Sequence, residues 1–328
     1  MDFALTDDQL ALAATVREVL RAHCPPEEVR HGRDRRPAWA RLAGVGLFAA
    51  LVPEEHGGLG LRLADTVPAL EETGRAAMPG PVAETVAAAP ALLAGEPDSL
   101  GGLASGKLPV SVRLGEQVYI PDADLAELLV VESGGRAYAL PAGTGLTHQP
   151  GVDPVRRLFS LAPSALDAAR PLPGGDPRLA LRRVTVATAA QLVGAARHLL
   201  DTTVAYAGTR RQFGAPIGSF QAVKHRLADV AIAVEFAAPL VYRAALSVDA
   251  ARPTADRDVS AAKAAAGEAA EQAARTALQV HGAIGYTDEL DLRLWLARVW
   301  SLAAAYGGTA PHRARLRESI LSDPGRWP

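Results

Sequence analysis

Cysteine is almost missing from this sequence, with Cys24 alone among 328 residues. A single thiol cannot close an intrachain disulfide and offers no zinc-ligand spacing. Nothing near it supports a nucleophile, so it reads as a buried or idle side chain. An excess of one charge is missing too: 34 Lys and Arg against 36 Asp and Glu give a net charge of −2, which removes the general electrostatic case for nucleic acid. No run of about 18 apolar residues occurs, which argues against a membrane span. The first residues, MDFALTDDQL, are acidic and lack the basic-then-apolar layout of a signal peptide. No repeat of fixed period is present, and no residue set suggests a metal. These absences point to a cytoplasmic protein.

What is present is alanine and helical spacing, in a chain long enough for two or three domains. Residues 1–105 read as an all-helical domain. Thr6 and Gln9 form a T-x-x-Q capping box ahead of a helix with Leu12, Val16, Val19 and Leu20 on one face, ended by Pro25 and Pro26. A second helical stretch begins near Pro37, VPEEHGGLG is a loop, and EETGR closes another helix. Residues 83–94 read as an alanine-rich helix ending at Gly95.

Residues 106–177 change character. Short runs (Leu108–Leu114, Gln117–Ile120, Leu128–Glu132) alternate with turn residues, the pattern of a small β-domain. From 178 to 328 the chain is helical again. Stretches near 179–208, 221–251, 256–284 and 288–305 suit an antiparallel bundle, with Pro239 placed to kink the second. In the third, Lys263, Glu268, Glu271 and Arg275 read as a solvated face.

The chemistry concentrates in RRQFGAPIGSFQAVKHRLAD, residues 210–229. Gly214, Pro216 and Gly218 force a turn, and Val223, Leu227, Val230 and Val234 then recur at helical spacing. Arg210 and Arg211 thus stand beside a helix start, where backbone N–H groups also favour an anion. Phe213 and Phe220 flank the glycines, able to pack under a flat ligand. On physics alone the stretch reads equally well as a solvated basic loop with two anchoring aromatics.

Its wording resembles the R-x-x-F-G…F-Q…L-A-D signature of flavin-dependent acyl-CoA dehydrogenases. QVHGAIGYTDE, at residues 279–289, is similar to that family's Q-x-x-G-G-x-G-Y-x-x-E motif, with Ala283 replacing the second glycine. WARLAGVGLFAALVPEEHGGLGL and LEETGRAAMPGPV resemble its N-terminal domain. The resemblance implies a mainly α fold: an N-terminal helical domain, a small trimmed β-domain and a C-terminal four-helix bundle. It implies FAD as cofactor and an acyl thioester as substrate. The cofactor contacts it implies are Arg210, Phe213, Gln221, Gln279, Val280, Gly282 and Thr309. These residues serve a flavin held mainly by a neighbouring subunit, so an oligomer is implied as well.

Two family features are missing. The middle segment has neither the T-E-P-x-x-G-S-D stretch nor a tryptophan-bearing W-I-T-N-like stretch, and it is short. The family's α-proton base is a glutamate in a Y-E-G-T sequence, and here the matching stretch is Tyr306–Gly307–Gly308–Thr309. Gly307 has no side chain to take a proton. Some relatives carry the glutamate near the position of Val184, where no acid stands either. Asp288 and Glu289 are the nearest acids after the second motif, and Glu289 reads as structural, as do His225, His281 and His312. The expectation is therefore no catalytic residue in this chain and a non-catalytic role beside an acyl-CoA dehydrogenase-like partner subunit. The alternatives are a homo-oligomeric enzyme with a displaced base, a flavin-free structural subunit, and a flavin enzyme acting on a carrier-protein thioester or a small secondary metabolite.

Overall fold

The computed structural model describes residues 4–30, 36–287 and 289–322. The N-terminal part is helical: α1 (Asp7–His23), α2 (Pro26–Arg30), α3 (Arg36–Gly44), α4 (Leu63–Arg75), α5 (Ala89–Leu92) and α6 (Pro97–Ala104). The capping box forms as expected. Thr6 Oγ1 accepts from Gln9 N at 3.3 Å, and Gln9 Oε1 accepts from Thr6 N at 3.0 Å. Val16 and Leu20 enter the core, and Cys24 is buried below them as a free thiol pushed up to about 11 by burial.

The alanine-rich stretch departs from a regular helix. Glu84–Ala88 is a π-helical turn in which Ala89 N–H reaches back to Glu84 O, and α5 follows. Pro90 is the local cause, since it has no N–H to continue the α-helical ladder.

Seven short strands follow. β1 (Val110–Arg113), β3 (Leu128–Ser133), β4 (Arg136–Pro141) and β7 (Arg170–Pro171) form one sheet in the order β1-β3-β4-β7. β2 (Ile120–Pro121), β6 (Leu158–Leu161) and β5 (Leu146–Gln149) form another. β1 and β3 pair in parallel and the other pairs are antiparallel. The two-residue period of β3 separates two cores. Val130 packs into the main core, while Leu129 and Val131 meet Ile120, Leu140 and Phe159 in a small one.

The C-terminal part comprises α7 (Pro177–Thr209), α8 (Gln221–Asp249), α9 (Ala255–His281) and α10 (Leu292–Ala304). A further helix, α11 (Thr309–Leu321), packs on α9. Between α7 and α8 lies a hairpin of β8 (Arg211–Gln212) and β9 (Ala215–Pro216). α7 is buried nearly all round from Val184 to Ala196, and α4, α8, α9 and α10 pack on it. The α4–α7 crossing uses Gly74 and Gly194: a Cβ at Gly194 would stand 1.8 Å from Glu71 O. Asp249, at the end of α8, accepts from Leu63 N and Ala64 N at 2.9 Å and so caps α4 from across the chain. By length and composition α8 is apolar enough to cross a membrane, and its inner face lies in this bundle.

Lys263 corrects the expected wet face of α9. It is 1% exposed, with Nζ donating to Ala303 O at 2.8 Å and Gly307 O at 2.9 Å. The cation meets unpaired carbonyls at and beyond the end of α10, where the helix dipole is negative. Burial, then the charge of Arg156, holds its pKa down to about 7.

Candidate functional site

Arg210 ends α7: its N–H still bonds to Tyr206 O at 2.8 Å, but its ψ of 123° turns the chain out of the helix. The β8–β9 hairpin then reverses it through Phe213 and Gly214, both at positive φ (52° and 80°). Two such residues in a row suit a tight hairpin turn, at a steric cost for phenylalanine. Phe213 is 93% exposed, and its ring meets Phe220 edge-on at 6.2 Å. Arg211 donates to Gly214 O at 3.0 Å, whereas the exposed Arg210 has no side-chain partner among the described residues. Gln221 opens α8, where no side chain caps the helix start.

The second motif lies at the same end of the bundle. α9 stops at His281, whose ring stacks on Tyr206 at 4.2 Å and whose Nδ1–H donates to Ala277 O at 2.8 Å. That stack joins the ends of α7 and α9. It brings Arg210 and Gln221 to the side of the bundle where Gln279 is exposed and Val280 half-buried. Gly282 has φ 66° and ψ −143°, and a Cβ there would meet nothing within 4 Å. Open space in front of a bare backbone suits close approach by a flat or phosphate-bearing group. Thr309 does not join this group. It lies against Gly267 in mid-α9, with its Oγ1 3.1 Å from where a Cβ on that glycine would sit. Twelve residues of helix separate Gly267 from Gln279, about 18 Å.

A second region surrounds Gly307. The chain between α10 and α11 turns through Tyr306 (φ 54°) and Gly307 (φ 98°). A Cβ on Gly307 would lie 2.9 Å from His312 Nε2. His312 is buried and fixed at both nitrogens: Nε2–H donates to Tyr306 O at 3.0 Å, and Nδ1 accepts from the Ser260 hydroxyl at 3.2 Å. Burial, reinforced by the Lys263 charge, lowers its pKa to about 4, so the imidazole is neutral. Beside it opens a cavity of about 890 Å3, bounded by the loop from Leu114 to Tyr119 and by α7, α9, α10 and α11.

Behind the cavity runs a buried polar network drawn from all three parts of the chain. Tyr306 Oη donates to Glu84 Oε1 at 2.7 Å. Arg156 stands 3.7 Å from Glu84 and donates to Ser301 Oγ at 3.2 Å. Arg298 donates to Asp153 at 2.6 Å and to Met78 O at 2.8 Å. The enclosed Asp122 is pushed up to about 7 by burial, against the pull of Arg156 and Arg298. Asp153 is held low: the Arg298 guanidinium and two backbone N–H groups outweigh its own burial.

Sequence reasoning missed this network. The one local signal was Arg298, a lone charge in the apolar run LWLARVWSL. Val184 is buried in α7, Glu289 and His225 are exposed, and Asp288 lies outside the described residues.

Residues 6–98 match the acyl-CoA dehydrogenase N-terminal domain and residues 178–321 the acyl-CoA dehydrogenase C-terminal domain. Acyl-CoA dehydrogenase IpdE2 of Mycobacterium tuberculosis is 34% identical over 330 residues, covering 97% of this chain and 99% of that protein. Its namesake in Mycolicibacterium smegmatis is 33% identical, covering 95% and 98%. Among solved structures, the ChsE4–ChsE5 complex of M. tuberculosis aligns with a TM-score of 0.84 at 26% identity, covering 99% of this chain and all of that one. The Tcur3481–Tcur3483 steroid ACAD variant gives 0.85 at 25%, covering 96% and 98%. With both domains matched and full-length relatives above 30% identity, the chain belongs to the acyl-CoA dehydrogenase family.

Proposed function

We propose that this chain is the non-catalytic, FAD-contacting subunit of a heteromeric, cytoplasmic acyl-CoA dehydrogenase that oxidises an acyl thioester to its α,β-enoyl form. The observation that carries this reading is the packing at Gly307. The base is missing, and the space a glutamate side chain would enter belongs to His312. Glu84, the buried acid that meets the Tyr306 side chain, is held by Tyr306 and Arg156, an arrangement that keeps it from serving as a displaced base. Two neighbours with matching folds, ChsE4–ChsE5 and Tcur3481–Tcur3483, are by their titles assemblies of two different chains.

The opposite end of the bundle fits the nucleotide part of the cofactor. Arg210 has a guanidinium with no partner among the described residues, available to phosphate oxygens; Phe213 is an exposed aromatic plate, and Gly282 leaves bare backbone beside Gln279 and Val280. When bound, the flavin would take up the hydride, and the partner subunit would supply the base. This chain's share is to bind and orient. Gln221 completes that group, whereas Thr309 stands apart from it and would reach a cofactor only from the Gly307 side.

Co-expression with an acyl-CoA dehydrogenase-like partner, followed by flavin quantitation, tests the reading. Two flavins per heterotetramer are expected, and four would sink it. A chain that purifies yellow alone and is reduced by an acyl thioester would point to the homo-oligomeric alternative. A complex without flavin, unaffected by Arg210→Ala, would point to a purely structural subunit.

A further inference from the structure

Both motif loops are tied to the Tyr206–His281 stack, and neither of these two residues is among the cofactor contacts that the motifs imply. Tyr206 lies one turn before the end of α7, where its carbonyl accepts from Arg210 N at 2.8 Å and from Thr209 Oγ1 at 3.1 Å. The hairpin that follows returns to the same turn. Ile217 N donates to Arg210 O at 2.8 Å, and a Cβ on Gly218 would stand 3.0 Å from Ala207 O. On the other side, His281 is the last residue of α9 and is buried. The turn from Gly282 to Tyr286 folds back onto it: a Cβ on Gly285 would lie 3.2 Å from His281 Cβ and 3.3 Å from Leu292 Cδ2.

The buried side chains near these two helix ends are otherwise small, among them Thr203 and Ala207 on α7 and Ala273, Ala274 and Ala277 on α9. Small side chains let helices approach closely but interlock weakly. The stacked rings, with centroids 4.2 Å apart and planes 24° from parallel, are therefore the pair that fixes one end against the other. The imidazole is itself held by its bond to Ala277 O, and burial keeps its pKa below the usual histidine range, so an uncharged ring meets Tyr206.

We propose that Tyr206 and His281 are positioning residues for FAD, a latch that holds the Arg210 hairpin and the bare backbone of Gly282 at one fixed separation. The proposal rests on the reading that this end of the chain contacts the cofactor. Its content is that each loop depends on the ring carried by the other helix.

Hydrogen exchange in the full-length chain tests that dependence across the stack. His281→Leu is expected to speed exchange of the Ile217 N–H, and Tyr206→Leu that of the Gly282 N–H, which bonds to Leu278 O. Each change should be about three- to tenfold, the worth of one aromatic pair. Tyr206→Phe, which keeps the ring, should stay near wild type. His148→Ala, which breaks a different histidine–aromatic pair with Phe159, should leave both amides unchanged. In the complex co-expressed with an acyl-CoA dehydrogenase-like partner, either leucine variant should raise the FAD dissociation constant by a similar factor. The double variant should be no worse than the weaker single, because the rings act as a unit. Faster exchange confined to the substituted side, additive losses in FAD affinity, or a Tyr206→Phe variant as damaged as Tyr206→Leu overturns the proposal. FAD affinity unchanged in every variant would remove the latch and leave the cofactor reading. A wild-type complex that binds no FAD would remove that reading, and the proposal with it.

Discussion

The two ends of the C-terminal bundle carry different family motifs, one nearly intact and one lacking its glutamate, and they differ in how their side chains are packed. At the Arg210 end, side chains are exposed, Arg210 has no side-chain partner among the described residues, and an aromatic ring projects on strained backbone. At the Gly307 end, the polar groups buried behind the turn are held by one another: His312 by Tyr306 and Ser260, Lys263 by two carbonyls, and Glu84 by Tyr306 and Arg156. A side chain awaiting an external ligand costs local stability, whereas one that has lost its ligand tends to be absorbed into packing. The contrast is that of an exposed motif loop and a buried polar network packed behind the Gly307 turn.

The sharpest way to break that contrast is to open the closed end. Arg298→Ala removes the buried partner of Asp153 and leaves that carboxylate uncompensated. The expected loss is about 3–5 kcal/mol in urea-induced unfolding. A loss below about 1 kcal/mol would mean that water enters the region and that it is not closed.

Gly307→Glu asks whether the missing base can simply be put back. At φ 98°, with a Cβ 2.9 Å from His312 Nε2, the glutamate is expected to cost about 2–3 kcal/mol and to confer no dehydrogenation of an acyl thioester. Adding His312→Ala should recover part of the stability. A single substitution that is both stable and active would show that the region was never repurposed.

How much of this was legible beforehand follows from sequence distance. The Thr6–Gln9 capping box, the helix ends and both motif loops depend on residues a few positions apart, and the structure bears out the mainly α fold they implied. The network behind the cavity does not. Tyr306 meets Glu84 across 222 positions, and Arg298 meets Met78 across 220. Lys263 has the helical register of a wet face, and only the arrival of the Ala303 and Gly307 carbonyls, at and beyond the end of α10, makes its burial tolerable. The π-helical turn was hidden because Pro90 sits within an otherwise strong helix former's composition.

Lys263 gives the closed end a pH signature. Its pKa falls from 10.5 in the unfolded chain to about 7 in the folded one, so the unfolded state binds more protons between those values. Stability contributed through this group is therefore full above about pH 10.5 and is lost as pH falls through about 7. Measured as urea midpoints, wild type should gain on Lys263→Met from pH 7 towards 10. A difference flat with pH would mean that the ammonium stays solvated.

The smallest effect on stability belongs at the open end, and there it separates structure from purpose. Phe213→Gly relieves a positive φ of 52° and removes a ring that is 93% exposed, so unfolding should be unchanged or up to about 1 kcal/mol more favourable to the native state. Flavin retained by the assembled complex after gel filtration should nevertheless fall, as it should for Arg210→Ala. Strained backbone under an exposed aromatic persists where the ring has a use outside its own fold. A complex that keeps its full flavin content with Phe213→Gly would show that the ring touches no cofactor, and the open end would lose the feature that most distinguishes it from an ordinary surface loop.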